Sequence, residues 1–440
     1  MSLITENTPV VGLRELDLWV TPSVQTSIES TISEEVRPVT QLNSGGYHTF
    51  LIDIPPNEVL RANETTLTIR GRVCYNNIQN GIVLDLDKIK LTNNTLHSLF
   101  ADCYIIWQGI QLTKNLSTLP YKNYINTLIH STESSRNSYL KCAGFDKEDP
   151  NNPLDNYSSA LISPDTNETD SSKGKIFEFE GKLDLDLFNQ HKYLIGGTKL
   201  KLVLVQHKPE FCFYNLDANV KPTIIFEDIH LNIRKSRISE EVIYGQLKAL
   251  NVSPVKYPIT RNEVRAITID KGVMSINLEN VVTGQIPTLM YVGFVDNEAF
   301  TGSYKHNPFN FENLNISSIA AFVNGEQFPR RAFTPNFTGP QYTREYLELL
   351  RTSTQYNNDV RTFIDKWDFA NGYTLFPFDL SQDSSDGYHS AGYINIPRNG
   401  TVRFEIVFRE VLPKTVTALL YCQWDNLISI NQDLSVSSDY

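Results

Sequence analysis

Apolar and polar residues alternate along most of this 440-residue chain, from about Gly46 onward. Runs such as HTFLIDIPP, TTLTIRGRVCY and ADCYIIWQ place an apolar residue at nearly every second position. Successive side chains of a strand point to opposite faces, so this period predicts strands with one buried face. The chain is therefore predicted to consist mostly of half-buried β-strands.

The same order of signals runs twice, once in each half of the chain. The first half contains a turn, a helix and two β-rich runs: QG at 108–109, LPYKNYINTLIH, LDLDLF at 183–188 and GGTKLKLVLV at 196–205. The second half repeats the series: NG at 324–325, QYTREYLELL, LFPFDL at 375–380 and NGTVRFEIVF at 399–408. This duplication predicts two all-β units of about 200 residues each.

Breaks in the alternation divide the chain into four segments. They are an N-terminal arm at 1–40, a first β unit at 41–238, a linker with one short helical run at 239–258 and a second β unit at 259–440. The longest polar segment, 144–174, is rich in Asp, Asn, Ser and Pro. It predicts an exposed loop inserted in the first unit, which contributes little to the core.

The arm is rich in Ser, Thr and Glu and lacks strand alternation. Its apolar residues Leu18 and Trp19 have no evident place in either β unit, and an exposed Trp is costly without a partner. We interpret the segment as an arm that becomes ordered on a neighbouring chain or layer. The alternative is a frayed terminus without a partner.

Composition supports the strands and restricts the partners. Phe and Tyr number 23 and 21 against 3 Met, and aromatic residues suit pleated, half-buried surfaces. The formal net charge of -11 argues against a chain that coats nucleic acid by neutralising phosphates. The sequence has no run of about 18 apolar residues and no basic-then-apolar leader. We expect a soluble chain, made without a signal peptide, that does not bind nucleic acid in a direct, sequence-specific way.

The sequence carries no recognisable catalytic or metal-binding motif. Its five cysteines form no CxxC pair, so we expect free, buried thiols. Its eight histidines show no metal-ligand spacing. No nucleophile elbow, Walker loop or dinucleotide fingerprint occurs. We predict no enzyme activity, no cofactor, and no catalytic, cofactor-binding or metal-binding residues.

Two pairs of alternate aspartates have the composition of an acid–base or cation site. They are Asp85 with Asp87, and Asp184 with Asp186. Alternate polar residues on a half-buried strand usually face water. We expect that structural role for both pairs.

Two further segments suggest contacts between molecules or between the β units. The basic run IRKSRI, with Arg234 and Lys235, either caps a strand end or contacts an acidic surface of a neighbouring subunit. The aromatic loop FTGSYKHNPFNF, with Phe309 and Phe311, is predicted to fold against the other β unit or against another subunit. With the two apolar residues of the arm, these four residues are the candidate assembly contacts.

Several sequence blocks resemble a known family. They are LHSLF at 96–100, PYKNYINTL at 120–128, GQIP at 284–287, VDNEAFTGSYKHNPFNF at 295–311 and GYTLFPFDL at 372–380. Together they resemble the major capsid protein of Polinton (Maverick) elements and adintoviruses, in order from about Thr40 to Asp439. The chain is more distantly similar to capsid proteins of virophages and of other large-genome DNA viruses.

The resemblance implies an all-β fold of two tandem eight-stranded jelly rolls, a double jelly roll, with short helices in loops. It also implies a hexon-like homotrimer, a pseudo-hexameric capsomer that tiles an icosahedral capsid. Implied partners are neighbouring capsomers, penton or minor capsid proteins and an internal membrane. The protein would be made in the host cytoplasm and located in the virion. The alternative is a carbohydrate-binding tandem β-sandwich, lectin-like or glycosidase-like, which would bind glycans as a monomer.

Overall fold

A computed structural model describes residues 18–19, 21, 23–42, 46–75, 89–114, 116–147, 175–215, 221–353, 364–384 and 392–440. The strands of the first half are β1 (Ile28–Val36), β2 (Tyr47–Ile54), β3 (Glu58–Leu60), β4 (Thr66–Tyr75), β5 (Ile89–Leu91), β6 (Phe100–Trp107), β7 (Ile110–Gln111), β8 (Lys175–Lys182), β9 (Thr198–Gln206), β10 (Phe213–Asn215) and β11 (Pro222–Ile238). Those of the second half are β12 (Val255–Ile269), β13 (Ser275–Gln285), β14 (Leu289–Asp296), β15 (Ile316–Val323), β16 (Glu326–Phe333), β17 (Leu375–Asp379), β18 (Asn399–Phe408), β19 (Val416–Ile430) and β20 (Val436–Ser438).

Short helices occupy the connections between these strands. They are α1 (Thr95–Ser98), α2 (Leu119–His130), α3 (Glu133–Arg136), α4 (Tyr139–Cys142), α5 (Asp186–Asn189), α6 (Pro209–Cys212), α7 (Glu240–Leu250), α8 (Asn297–Thr301), α9 (Thr343–Thr352) and α10 (Lys366–Ala370), with a 3-10 turn at Ala62–Glu64. Among the described residues, no helix is long and apolar enough to cross a membrane.

Each half pairs its strands in the same order. In the first half the sheets run β1-β11-β4-β8 and β2-β9-β6-β7, and in the second half β12-β19-β14-β17 and β13-β18-β15-β16. Counted along the eight main strands of each half, both follow first–eighth–third–sixth and second–seventh–fourth–fifth. This Greek-key order of two facing antiparallel sheets is a jelly roll. The prediction of two tandem eight-stranded jelly rolls is confirmed.

The topology gives each roll two different ends. Because neighbouring strands are antiparallel, odd-numbered and even-numbered strands of a roll run in opposite directions. The connections after the first, third, fifth and seventh strands therefore share one end, which we call the loop end. The remaining connections share the other end with the start of β1 and with α7, and we call it the arm end.

The duplicated turns are confirmed at the backbone level. Gln108 and Gly109 have φ of 48° and 85°, and Asn324 and Gly325 have φ of 51° and 91°. Two consecutive positive φ angles are what a two-residue type I′ hairpin requires. Both turns join the fourth and fifth strands of their roll, so these two local signals occupy equivalent positions.

The proposed match between LDLDLF and LFPFDL is wrong. LFPFDL contains β17, the sixth strand of the second roll, whereas residues 183–185 are irregular and α5 follows them. The sixth strand of the first roll is β8, which precedes LDLDLF. Alternating Leu and Asp predicted a strand, but here the leucines enter the core from a connection.

The arm predicted at 1–40 contains a strand of the first roll. β1 pairs antiparallel with β11, from Ile28 opposite Ile238 to Val36 opposite Leu231. Most of its side chains are exposed, so backbone hydrogen bonds hold it and hydrophobic periodicity does not reveal it. The first roll therefore begins at residue 28 and not at 41, and the arm is correspondingly shorter.

Three hydrophobic clusters form the core. Two fill the sandwiches of the first and second rolls, and the first also receives Tyr257, Ile259, Ile428 and Ile430 from the ends of β12 and β19. The third cluster contains residues of both rolls. We call this third cluster the interface between the rolls, and it makes the two rolls one structural unit.

Candidate functional site

The described residues hold no metal-binding cluster, and their buried thiols are not activated. No group of three or more His, Cys, Asp or Glu side chains that could hold a metal ion occurs among them. All five cysteines are free thiols; Cys103, Cys212 and Cys422 are buried, and Cys142 is exposed. Burial raises the pKa of Cys422 to about 12 and also raises those of Cys103 and Cys212, so none of these three is an activated nucleophile. Asp85 and Asp87 lie outside the described residues.

The aromatic loop of the second roll packs into the interface between the rolls. The ring of Phe309 stacks on Tyr124 of α2 with centroids 4.1 Å apart, and Phe311 lies 6.1 Å from the same ring. Both phenylalanines are fully buried. The loop was predicted to fold against the other β unit or against another subunit. The side chains of Phe309 and Phe311 contact the first roll of the same chain, so they offer no surface to another subunit.

A buried ion pair completes the same interface. The ammonium of Lys122 in α2 donates to Asp186 at 2.7 Å, and the other carboxylate oxygen accepts from the backbone N–H of Asn262 in β12 at 3.3 Å. Burial opposes the charge on Lys122, but the adjacent carboxylate raises the net pKa of the amine above its ordinary value. Asp186 therefore ties a connection of the first roll to the first strand of the second.

Asp184, the neighbouring carboxylate, is also satisfied within the protein. It accepts from the amides of Asn189 at 2.6 Å and Asn126 at 2.7 Å. Burial opposes its charge, but the bond from Asn189 and the others together hold its pKa below the ordinary value. The expectation that the pair faces water is wrong for Asp186, which is buried against the second roll, whereas Asp184 is half-buried and bonded within the first roll.

Lys122 was not predicted to be part of this site. The lysine lies on the buried side of α2, among Tyr121, Tyr124 and Ile125. A lysine among apolar residues of a helix is the local signal that could have revealed it, because a buried ammonium needs a partner. Nothing local identifies that partner, which lies 64 residues away along the chain.

The basic run of β11 is neutralised within the chain. Arg234 pairs with Glu64 at 2.9 Å, and Lys235 pairs with Glu34 of β1 at 2.7 Å. Both partners therefore belong to the first roll itself. The contact of Arg234 and Lys235 with an acidic surface of a neighbouring subunit stays a prediction.

The arm end carries many of the exposed large apolar side chains. Leu18 and Trp19 are 77% and 86% exposed. The chain enters β1 beside the start of α7, where the N–H of Ser239 donates to Ser27 at 3.0 Å. Other exposed apolar residues at this end are Ile110, Tyr193, Tyr244, Leu247, Val252, Tyr393, Ile394 and Ile396. An apolar surface of this kind is typical of a protein contact.

The polar loop begins later than its composition indicates. Phe145 is fully buried, with its ring 5.7 Å from that of Tyr124. Lys147 forms an ion pair with Asp368 of the second roll. Residues 144–147 are therefore part of the interface between the rolls, and residues 148–174 lie outside the described residues.

Two replacements of the loop by a short Gly-Ser linker should give different results. Replacing 149–173 should leave the oligomer and its thermal midpoint unchanged, because loop-closure entropy changes slowly with length. Replacing 144–174 should destabilise the protein, since losing a buried Phe alone costs about 3–5 kcal/mol. Size exclusion and thermal unfolding would measure both. Equal behaviour of the two variants would contradict this boundary.

His48 should make the first roll sensitive to acid. Its ring packs edge-on against Phe100 and Phe226, with centroids 6.2 and 5.3 Å away, and neither ring nitrogen has a hydrogen-bond partner among the described residues. Burial lowers its pKa below the ordinary 6.5. The unfolded chain therefore binds the extra proton first, so stability is present above pH 6.5 and falls as the pH drops below it.

His48→Leu should reduce this loss. Compared with the unaltered protein, the variant should gain up to about 1.4 kcal/mol per pH unit below pH 6.5. Urea unfolding at pH 7 and pH 5 would measure the difference. His306→Gln, at an exposed position, is the control and should follow the unaltered protein. A parallel decline of His48→Leu and the unaltered protein would show that other groups cause the acid sensitivity.

The fold and the interface between the rolls define a class of protein, a double jelly roll whose buried polar groups serve structure. No family model matches the chain. A Caenorhabditis elegans protein, "Uncharacterized protein F54H12.2", is 24% identical over 369 residues, which cover 81% of this chain and 83% of that protein.

Solved viral structures share the fold over the whole chain. A chain of the Sputnik virophage, solved by cryo-EM, has a TM-score of 0.65 at 13% identity and covers 100% of this chain and 94% of its own length. The mavirus major capsid protein has a TM-score of 0.56 at 14% identity, covering 100% and 97%. The Faustovirus major capsid protein has a TM-score of 0.54 at 8% identity, covering 93% and 92%. At these identities the similarity establishes the double jelly-roll fold.

Proposed function

We propose that this chain is a structural major capsid protein whose homotrimer forms a pseudo-hexameric capsomer of an icosahedral shell. The observation that carries the proposal is the double jelly roll, shared over 100% of the chain with the mavirus major capsid protein and over 93% with that of Faustovirus. The sequence blocks at 295–311 and 372–380 favour the Polinton (Maverick) and adintovirus type. The similar protein in an animal, Caenorhabditis elegans, is compatible with an element carried in animal genomes.

The geometry suits a tile of a closed lattice. Three chains place six rolls around a threefold axis, and six similar rolls approximate a hexagon. Because the two rolls of a chain differ in sequence, alternating edges of the hexagon can contact different neighbours. The interface between the rolls, which contains Phe309, and the bond from Asn262 to Asp186 keep the two rolls of each tile in one orientation.

We place the arm end toward the interior of the particle and the loop end outside. The exposed apolar surface at the arm end would contact neighbouring capsomers, penton or minor capsid proteins or an internal membrane. The net charge of -11 leaves genome packing to other components. This assigns the chain to the virion capsid, after synthesis in the host cytoplasm, and gives it no enzymatic role.

Size exclusion with light scattering and negative-stain microscopy of the recombinant protein would test the proposal. We expect a species of about 150 kDa, three times the chain mass of 50.1 kDa, with threefold capsomers visible. A stable trimer of this kind should bury more than about 2,000 Å² between chains. A 50 kDa species alone at micromolar concentration would contradict the proposal and favour the carbohydrate-binding tandem β-sandwich.

A further inference from the structure

We propose that a cavity at the loop end of the second roll binds a neutral sugar. The cavity has a volume of about 570 Å³, within the range of about 300–1,000 Å³ usual for small-molecule sites. Its walls come from residues 310–315, 370–372 and 410–414, in the connections after the third, fifth and seventh strands. The topology places all three connections at the same end of the roll. The inference does not depend on the capsid role.

The polar groups of the cavity match hydroxyl groups. The side-chain amide of Asn371 donates one hydrogen to the carbonyl of Trp367 at 2.8 Å. A primary amide has a second hydrogen and an acceptor oxygen. The carboxylate of Glu410 adds further acceptors and is exposed. A pyranose ring carries adjacent hydroxyl groups. One hydroxyl can donate to a carboxylate, and its neighbour can donate to the amide oxygen or accept from the amide N–H.

The charge of the cavity selects against anions. Lys414 is the only cationic side chain among the described lining residues, and it already donates to Asp296 and Glu312 at 2.7 Å each. Glu410, an exposed lining residue that forms no ion pair with the described residues, adds a negative charge. A phosphate, a sulfate or a sialylated glycan would meet net negative charge, so a neutral sugar is the ligand class that fits.

Apolar groups complete the match. Leu314, Val411 and Pro413 contribute apolar surface to the lining, and Val411 is 54% exposed. The indole of Trp367 in α10, 64% exposed, is four residues before Asn371 in the chain and outside the lining itself. Sugar rings present an apolar C–H face beside their hydroxyls, and an amphipathic aromatic ring suits such a partner.

The cavity is held in shape by backbone bonds. The N–H of Glu312 donates to Phe294 at 2.8 Å, and that of Arg409 donates to Asn315 at 3.0 Å. The amide of Asn313 donates to Ala370 at 2.8 Å, which joins two of the three connections. Little conformational entropy is therefore lost when a ligand enters.

Saturation-transfer NMR on the full-length protein would test this inference. The probes are the methyl glycosides of glucose, galactose, mannose and N-acetylglucosamine, with 3′-sialyllactose as the anionic comparison. We expect saturable binding of at least one neutral glycoside and weaker binding of sialyllactose. Absence of binding to all four neutral glycosides, or preferential binding of sialyllactose, would overturn the proposal.

Variants connect the binding to this cavity. Glu410→Ala and Asn371→Ala should each weaken binding about tenfold, because each variant loses one or two hydrogen bonds to the sugar. Glu326→Ala, an exposed carboxylate at the arm end, should bind as the unaltered protein does. Thermal unfolding confirms that each variant is folded, and unchanged affinity in both cavity variants would refute the site. Particle formation is measured separately by microscopy. Failure of the sugar-binding proposal can therefore be distinguished from failure of the capsid proposal.

Discussion

Asp186→Ala should destabilise the protein by about 3–5 kcal/mol, because it leaves the ammonium of Lys122 buried without its anion. The side chains of both residues are about nine-tenths buried, so solvent screens the pair little. Loss of the bond from the N–H of Asn262 adds an unsatisfied backbone donor. Urea unfolding at pH 7 would measure the change.

Two comparisons separate the ion pair from general sensitivity to mutation. The double variant Lys122→Met with Asp186→Leu should recover most of the loss, because apolar residues of similar volume replace a buried pair at little cost. Glu348→Ala removes the partly exposed partner of Arg351 and should cost at most about 1 kcal/mol. If the double variant is as unstable as Asp186→Ala, the unpaired charge is not the cause.

Removing residues 1–39 should prevent the first roll from folding, whereas removing residues 1–24 should leave it intact. The longer deletion takes β1 and its backbone bonds to β11. Several such bonds at about 1 kcal/mol each approach the whole stability margin of a domain, about 5–15 kcal/mol. Soluble yield and circular dichroism of the two truncated proteins would measure the difference. Equal folding of both would show that β1 is dispensable.

The shorter deletion also tests the arm. Trimers should form normally without residues 1–24, but closed particles should form less readily, because the exposed Leu18 and Trp19 no longer bind a neighbouring surface. Burying Trp19 and a few leucines contributes several kcal/mol at roughly 25 cal/mol per Å². Leu18→Ser with Trp19→Ser should reproduce much of the loss. Normal assembly of both variants in the same assay would mean that the arm is a frayed end.

Local signals were sufficient for the all-β class and for the two equivalent turns. The turns at 108–109 and 324–325 depend on residues that accept positive φ, and the strands depend on a two-residue period. Both properties belong to a few neighbouring residues, so they are readable without the fold. β1 was not predicted because its mostly exposed side chains show no hydrophobic alternation. Its backbone hydrogen bonds hold it in the sheet, and these do not depend on side-chain identity.

The sequence by itself determined the two tandem β units, the helices in their connections and the lack of a recognisable catalytic motif. Only the tertiary structure decided which charges meet: Lys122 with Asp186, Arg234 with Glu64 and Lys235 with Glu34. It also decided that Phe309 and Phe311 fill the interface between the rolls and that three distant connections enclose one cavity. The physical reason is that periodicity and turn preference act over a few residues, whereas these partners lie about 40 to 200 residues apart and meet only after the rolls close.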